Sequence, residues 1–307
     1  MRRVIYFFIL LLVLNCGCQA QRPSTTIKVM TWNILYGAND IKDGKNNAVR
    51  IIRALNPDVI LMVETYGSGK IIADALGYKF HLIAPEGTPS DQKEINLSIL
   101  SRFPFGNRID TPFPFYLGGR EIIIHGKSIR FFSNWCHYLP WEDEPEKLGK
   151  SAQELLGWEK TGTKHEMFQK VLPYIKQYAE EADSIPLIIG GDFNTLSHLD
   201  WGIETKALHN DLVVPWYVTK VLEDIGLVDT YRTIHPDPVT HPGVTWHTKG
   251  INDAHRIDYI FYKSPILKPL QSETYKTFLN EIFTINGENI LYPSDHGIVL
   301  TTFEIKH

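Results

Sequence analysis

Residues 188–194 read Ile-Ile-Gly-Gly-Asp-Phe-Asn, an apolar run that ends in a carboxylate, Asp192, and an amide, Asn194, two positions apart. Far downstream, Pro293 is followed by Ser294, Asp295 and His296. These are parts for activating a water beside a metal-bound phosphate. Such a site needs a base within hydrogen-bond reach of the water, oxygen ligands for a hard cation, and donors aimed at the oxygens where charge grows.

Four further polar residues recur at strand ends: Asn33, Glu64, His137 and Asp258. Glu64 has the chemistry of a ligand for a hard divalent cation, and Asp295 could help from the opposite side. Asp192 is placed to take a proton from water, and Asn194 to hold that water or a phosphoryl oxygen. His137 and His296 can donate to the phosphoryl group, and Asp258 can fix the tautomer and orientation of His296. Each residue alone also has a structural reading. Asn33 suits a turn cap, Glu64 a solvated strand end, His137 a satisfied buried histidine, and Asp192-Phe193-Asn194 an Asx turn. Asp258 could pair with Arg256, and Asp295-His296 could lie at the surface. The ordered set is what argues for chemistry.

The elements that must position these residues are legible from periodicity. Strands are expected over Ile27–Trp32, Val59–Val63, Leu97–Leu100, Leu187–Ile189, Arg256–Tyr262 and Ile298–Phe303. Ile122–His125 and Ser128–Asn134 read as a hairpin turned at Gly126-Lys127. Helical spacing covers Asn46–Leu55, Ile71–Leu76, His165–Ala182 despite Pro173, and Tyr217–Ile225. The stretch 139–163 reads as a long loop with a helical piece. Hairpins mixed with βα crossings exclude a purely parallel sheet.

The chain has 307 residues, 43% hydrophobic and 21% charged, enough for a large core. Arg2 and Arg3 precede an apolar run, Val4–Leu14, and then small residues. That is the pattern of a secretory signal over residues 1–20, with 21–26 as a tether. Cys16 and Cys18 stand where a bacterial lipoprotein is acylated, and which of them serves stays open, as does plain cleavage after Ala20. Acylation would tether the protein to a membrane surface. Removing the signal leaves Cys136, read as a small buried hydrophobe. Without Arg2 and Arg3 the 31 basic residues become 29 against 35 acidic, a net charge of −6. That balance argues against tight nonspecific binding of long nucleic acid.

The chain resembles the endonuclease/exonuclease/phosphatase superfamily. The resemblance rests on Thr31-Trp32-Asn33, Leu61-Met62-Val63-Glu64, Asn96 to Arg102, Gly190-Gly191-Asp192-Phe193-Asn194, Arg256 to Phe261 and Ser294-Asp295-His296, which occur in family order along 27–307. It implies one α/β domain built as a four-layer sandwich, two packed mixed sheets flanked by helices. It also implies Mg²⁺- or Mn²⁺-dependent hydrolysis of a phosphate ester. Glu64 would bind the metal with Asn33 nearby and Asp295 in support. Asp192 would orient or deprotonate water, Asn194 would assist, and His296 paired with Asp258 would stabilise the transition state. The family varies at His137, which fits members that contact phosphate with histidine.

Substrate stays open at this level. Trp135, Trp141, Trp246 and His247 flank the proposed segments, and Trp135 or Trp246 could stack on a ring of the substrate. The stretch Thr195–Trp201, with His198 and Asp200, is expected to line a cleft wall. Candidate partners are a phospholipid headgroup, an inositol phosphate, a phosphorylated glycan or nucleic acid. A monomer is expected, exported to the periplasm, the outer surface or the medium. A secreted DNase or RNase and a non-catalytic binding module on the same fold are the competing readings.

Overall fold

The structure is a computed structural model that describes residues 25–246 and 254–306. The expected signal, Cys16, Cys18, most of the tether, and His247 lie outside the described residues. The first sheet holds β1 (Thr25–Asn33), β2 (Val59–Val63), β3 (Lys79–Leu82), β4 (Leu97–Ser101), β11 (Leu267–Tyr275) and β14 (Ile298–Ile305), in the spatial order β11-β14-β1-β2-β4-β3. The second holds β5 (Phe105–Ile109), β6 (Leu117–Ile124), β7 (Lys127–Trp135), β8 (Leu187–Asp192), β9 (Val228–Asp229) and β10 (Asp258–Lys263), in the order β5-β6-β7-β8-β10-β9. A hairpin of β12 (Ile282–Ile285) and β13 (Glu288–Leu291) completes the strands.

The period-2 alternation of β1 explains its place between two layers. Ile27 and Val29 point into the layer between the sheets, with Val59, Leu61, Ile99, Phe131, Ile188 and Ile260. Met30 and Trp32 point the other way, into a core shared with helices. After a single turn, α1 (Leu35–Ala38), come α2 (Gly44–Leu55) and α3 (Gly69–Leu76). These two bury Ile51, Ile52, Leu55 and Ile72 on that outer face. On the opposite side, α4 (Ala152–Glu159) is followed by α5 (Thr163–Glu180), α6 (Tyr217–Asp224) and α7 (Thr230–Ile234). Phe168, Val171, Ile175 and Ala179 of α5 recur at helical spacing and cover the second sheet. The expected four layers are present.

Strand direction gathers the chemistry. β1 pairs parallel with β2, and β7 parallel with β8, so Asn33, Val63, Trp135 and Asp192 all finish at one end. β10 is antiparallel to β8, with Asp258 opposite Asp192, so it starts where β8 stops. β14 is antiparallel to β1, so the residues just before Ile298 reach the same end.

Several boundaries move. Thr25 and Thr26, read as tether, are strand residues that pair with Ile305 and Glu304. The expected loop 139–163 carries a 3-10 turn (Pro145–Leu148) and α4, whose Ser151 and Glu154 form a reciprocal capping box. Strands β3, β5, β9, β11, β12 and β13 were not expected. They lie at sheet edges or form the outlying hairpin, and all but β11 have five residues or fewer, so they lack a clean apolar alternation.

Candidate active site

Backbone geometry at the strand ends aims the polar side chains inward. Asp192 ends β8 directly after Gly190 and Gly191. A Cβ on Gly190 would sit 2.8 Å from Leu61 Cδ1 of the facing sheet. A Cβ on Gly191 would sit 1.8 Å from the backbone oxygen of Asn134 on β7. The glycine pair therefore lets β8 approach both neighbours and brings Asp192 to Asn33. Glu64 (φ 54) and Asn194 (φ 47) adopt left-handed backbone just past their strands, which turns both side chains back over the sheet ends.

A row of hydrogen bonds results. Asn33 Nδ2 donates to Glu64 Oε1 at 3.2 Å and to Asp192 Oδ2 at 3.2 Å. Glu64 Oε2 also accepts from the Tyr36 N–H at 2.9 Å. Asn194 donates from its backbone N to Asp192 Oδ1 at 2.9 Å and from Nδ2 to Asp192 Oδ2 at 3.0 Å. His296 Nε2 lies 3.8 Å from Asp192 Oδ2, and its Nδ1 is 3.0 Å from Asp258 Oδ2. Ser294 Oγ ties the last loop to the first strand by donating to the Asn33 backbone oxygen at 2.6 Å. Residues 33 and 294 thus meet although 261 positions separate them in the chain.

Asp192, Asp258 and His296 are buried and close enough that one atom from each falls within 4.8 Å of the others. Burial pushes the Asp192 carboxyl up to about 7; Asp258 and Glu64 push the same way, while His296 and the Asn194 N–H oppose it. Burial opposes charge on His296, but the Asp258 and Asp192 carboxylates outweigh it and hold the imidazole well above its usual range. The arrangement therefore offers a carboxyl poised to exchange a proton near neutrality beside an imidazolium.

This row floors a cleft of about 340 Å³ lined by Tyr36, Tyr66, Trp135, Tyr138, Trp141 and Trp246 around Glu64, Asp192, Asn194 and His296. Trp135 and Trp246, expected to flank the site, are half-buried in its wall. Tyr36, Tyr66 and Tyr138 carry no signal in the sequence, because single tyrosines in a one-turn helix or a loop follow no local pattern.

Other expectations fare differently. His137 stands beside the cleft rather than in its lining. Its Nδ1 is 2.6 Å from Thr163 Oγ1 and also faces the Leu139 N–H, so that nitrogen is spent on its own loop. Asp295 is not in the lining either, and its Oδ1 is buried with no hydrogen-bond partner among the described residues. Asp200 and His198 do not line the cleft wall. Asp200 accepts from both Arg256 and Arg232, and His198 faces Thr219 and Glu223 over a separate cavity. Arg256 pairs with Asp200 and Asp229, not with Asp258. Cys136 is buried, and burial pushes its thiol up to about 12, which keeps it an unreactive hydrophobe.

That separate cavity, about 410 Å³, is larger than the cleft. Its Arg232 and His198 side chains are already engaged within the protein, so it offers little to recognise a ligand.

The chain is similar to known proteins over nearly its whole length. An uncharacterized protein of Caenorhabditis elegans is 29% identical over 313 residues, covering 96% of this chain and 97% of its own. Among solved structures, D. rerio TDP2 complexed with single strand DNA product superposes with a TM-score of 0.57 at 15% identity, covering 91% of this chain and 99% of that one. The human Nocturnin catalytic domain with bound sulfate gives 0.55 at 18% identity, over 92% and 95%. A Bacteroides thetaiotaomicron endonuclease/exonuclease/phosphatase family protein gives 0.54 at 16%, over 93% and 100%. At such identities these structures speak for the shared two-sheet fold. The family's sequence profile matches residues 30–296, which takes in every strand end from Asn33 to His296. On that match the chain belongs to the endonuclease/exonuclease/phosphatase family, hydrolases of phosphoester bonds.

Proposed function

We propose that this protein is an exported, divalent-metal-dependent phosphodiesterase. The carrying observation is the continuous row Glu64–Asn33–Asp192, backed by Asp258–His296, at the floor of an aromatic cleft. Family membership favours a divalent cation, Mg²⁺ or Mn²⁺, and the donor set fits one. Glu64 is a carboxylate in the cleft lining, and Asp295 Oδ1 is a buried oxygen with no hydrogen-bond partner among the described residues. Glu64 is the better ligand than the Asp192, Asp258 and His296 group. His296 Nδ1 is spent on Asp258, and a charged imidazole repels a cation. Asn33 presents its amide nitrogen to Glu64 and its Oδ1 to the Leu35 N–H. To ligate, it would turn that amide and give up the Leu35 bond; Asp295 would support the ion from across the site. When bound, the cation supplies charge neutralisation at the phosphoryl oxygens.

The protein's own residues do the rest. Asp192 accepts the proton of the attacking water, since a base near the working pH both deprotonates and lets go. Asn194 keeps the carboxylate oriented through two bonds and stands beside the water's position. His296, held by Asp258, donates from Nε2 to the phosphoryl group as charge grows on it. His137 acts at the rim, contacting substrate outside the reacting centre. The signal-like Val4–Leu14 run supports export, with acylation at Cys16 or Cys18 as the means of tethering.

Asp192→Asn tests the reading. It should abolish hydrolysis of an activated phosphodiester while leaving the circular dichroism spectrum native and the melting temperature no lower than that of the wild type. Native-like turnover in that variant would reject Asp192 as the base. A second reading, attack on the end of a single-stranded nucleic acid, draws support from the aromatic lining, because stacking on rings is how such strands are held. TDP2, which shares the fold, is described in complex with a single strand DNA product. Parallel assays on DNA, RNA, sphingomyelin and inositol phosphates rank the two.

A further inference from the structure

The aromatic residues of the cleft are not spread evenly. Four of the six fall into two pairs at opposite ends of the polar row, while Trp135 packs on Tyr116 and Tyr138 on His137. At the Glu64 end, Tyr36 stacks on Tyr66, with ring centroids 5.9 Å apart and planes inclined by 23°. Tyr36 is fixed there by its own N–H on Glu64 Oε2. At the His296 end, Trp141 meets Trp246 edge-to-face, 5.3 Å and 90°. Trp246 is held there by a backbone bridge to His296, its ring 6.5 Å from the imidazole. Between the pairs lie the groups that address the phosphoryl centre.

Tyr36 is 57% exposed and the two tryptophans are half-buried, so each pair presents open ring surface to the cleft. The Trp141 indole N–H is already bonded to Asp143 Oδ1 at 2.7 Å, and Lys164 Nζ lies over the ring 5.5 Å from its centroid, so only the remaining ring surface is offered to the cleft. Among the described lining residues none is lysine or arginine. Recognition outside the reacting centre therefore falls to ring faces, which favour planar or apolar groups over added negative charge.

We infer that the cleft grips both ester arms of its substrate, one against Tyr36–Tyr66 and the other against Trp141–Trp246. The substrate class is then a phosphodiester bearing a planar or apolar group on each side of the phosphorus. A phosphomonoester, with one arm and an extra charge, leaves one pair bare. Tyr36, Tyr66 and Trp141 become specificity-determining residues. This inference rests on the phosphodiesterase reading above.

Three chromogenic esters with the same leaving group separate the outcomes: a diaryl phosphate, a methyl aryl phosphate and an aryl phosphate. They are assayed with the full-length protein at saturating Mn²⁺. The wild type should prefer the diaryl ester over the methyl aryl ester by about tenfold or more in kcat/KM, as expected for one stacked ring. It should disfavour the monoester further. Tyr36→Ala and Trp141→Ala should then behave differently. The variant that strips the leaving-arm wall lowers both diesters together. The variant that strips the retained-arm wall lowers only the diaryl ester. Tyr36→Phe and Trp141→Phe should restore most of each loss, which separates ring contact from misfolding. Equal treatment of all three esters by the wild type, or identical profiles for the two alanine variants, overturns the inference. Cleavage of none of the three would instead bring down the catalytic reading beneath it.

Discussion

His296 Nδ1 lies 3.0 Å from Asp258 Oδ2, and the other oxygen of Asp258 is buried with no hydrogen-bond partner among the described residues. Asp258 therefore spends its charge on one histidine. With Asp192 on the far side of the ring, the imidazole is held cationic in a buried place where burial alone would neutralise it.

Replacing that carboxylate by its isosteric amide isolates the effect. Asp258→Asn should lower kcat by about 100-fold or more, in line with the loss of one preorganised electrostatic contact, and should change KM little. Because the raised His296 value depends on Asp258, the alkaline limb of the pH–rate profile should move to lower pH in the variant. An unmoved limb would show that His296 does not act as the acid form.

The Asp192 carboxyl is pushed up to about 7, so its basic form fades as pH falls. Activity should therefore show an acid limb no higher than about pH 7, read from kcat/KM between pH 5 and 9. A bound cation lowers that limb, since positive charge favours the carboxylate. The linked effect on folding has the opposite sense. A carboxyl raised on folding stabilises most below its unfolded value near 3.8 and loses that contribution as pH rises through about 7. Asp192→Asn should then melt at or above the wild-type temperature at pH 8, though inactive.

A buried ion cluster braces the site from behind. Arg256 donates to Asp200 at 2.9 Å from both Nε and Nη2, and from Nη1 to Asp229 at 2.5 Å, while Arg232 Nε holds Asp200 at 2.6 Å. It ties the loop that follows Asn194 to the start of the strand that carries Asp258. Asp200→Ala leaves two buried guanidiniums short of charge and should cost about 3–5 kcal/mol in chemical denaturation. A loss below about 1 kcal/mol would mean that the cluster is not structurally important.

Gly191→Ala should be among the most damaging small substitutions. Its Cβ would fall 1.8 Å from the Asn134 backbone oxygen at a φ of 157°. Strand β8 would have to leave β7, so soluble expression should fall sharply. Gly126→Ala, whose added Cβ meets nothing within 4 Å, is the control and should cost about 1 kcal/mol, because only its φ of 80° is strained.

The local alphabet of the chain went a long way. Apolar runs such as Val59–Val63 and Leu187–Ile189 declared buried strands, and the polar residues beyond them, Glu64 and Asp192, are ones that the fold joins through Asn33. Edge strands such as β3 and β5 were silent, because their burial pattern is broken where one side faces solvent. The stretch with Asp200 was misplaced for a related reason: following Asn194 in sequence it suggested a cleft wall, but two distant arginines hold Asp200 away from the cleft.

By itself the sequence determined which residue types sit at strand ends, since strand period and turn chemistry are local and need only a few neighbouring side chains. Only the tertiary structure decided that Asn33, Glu64, Asp192, Asp258 and His296 share one floor, and that two aromatic pairs stand at its ends. Those facts depend on parallel and antiparallel pairing between segments far apart in the chain. Closing such contacts is settled by the packing of two whole sheets, not by any window of residues.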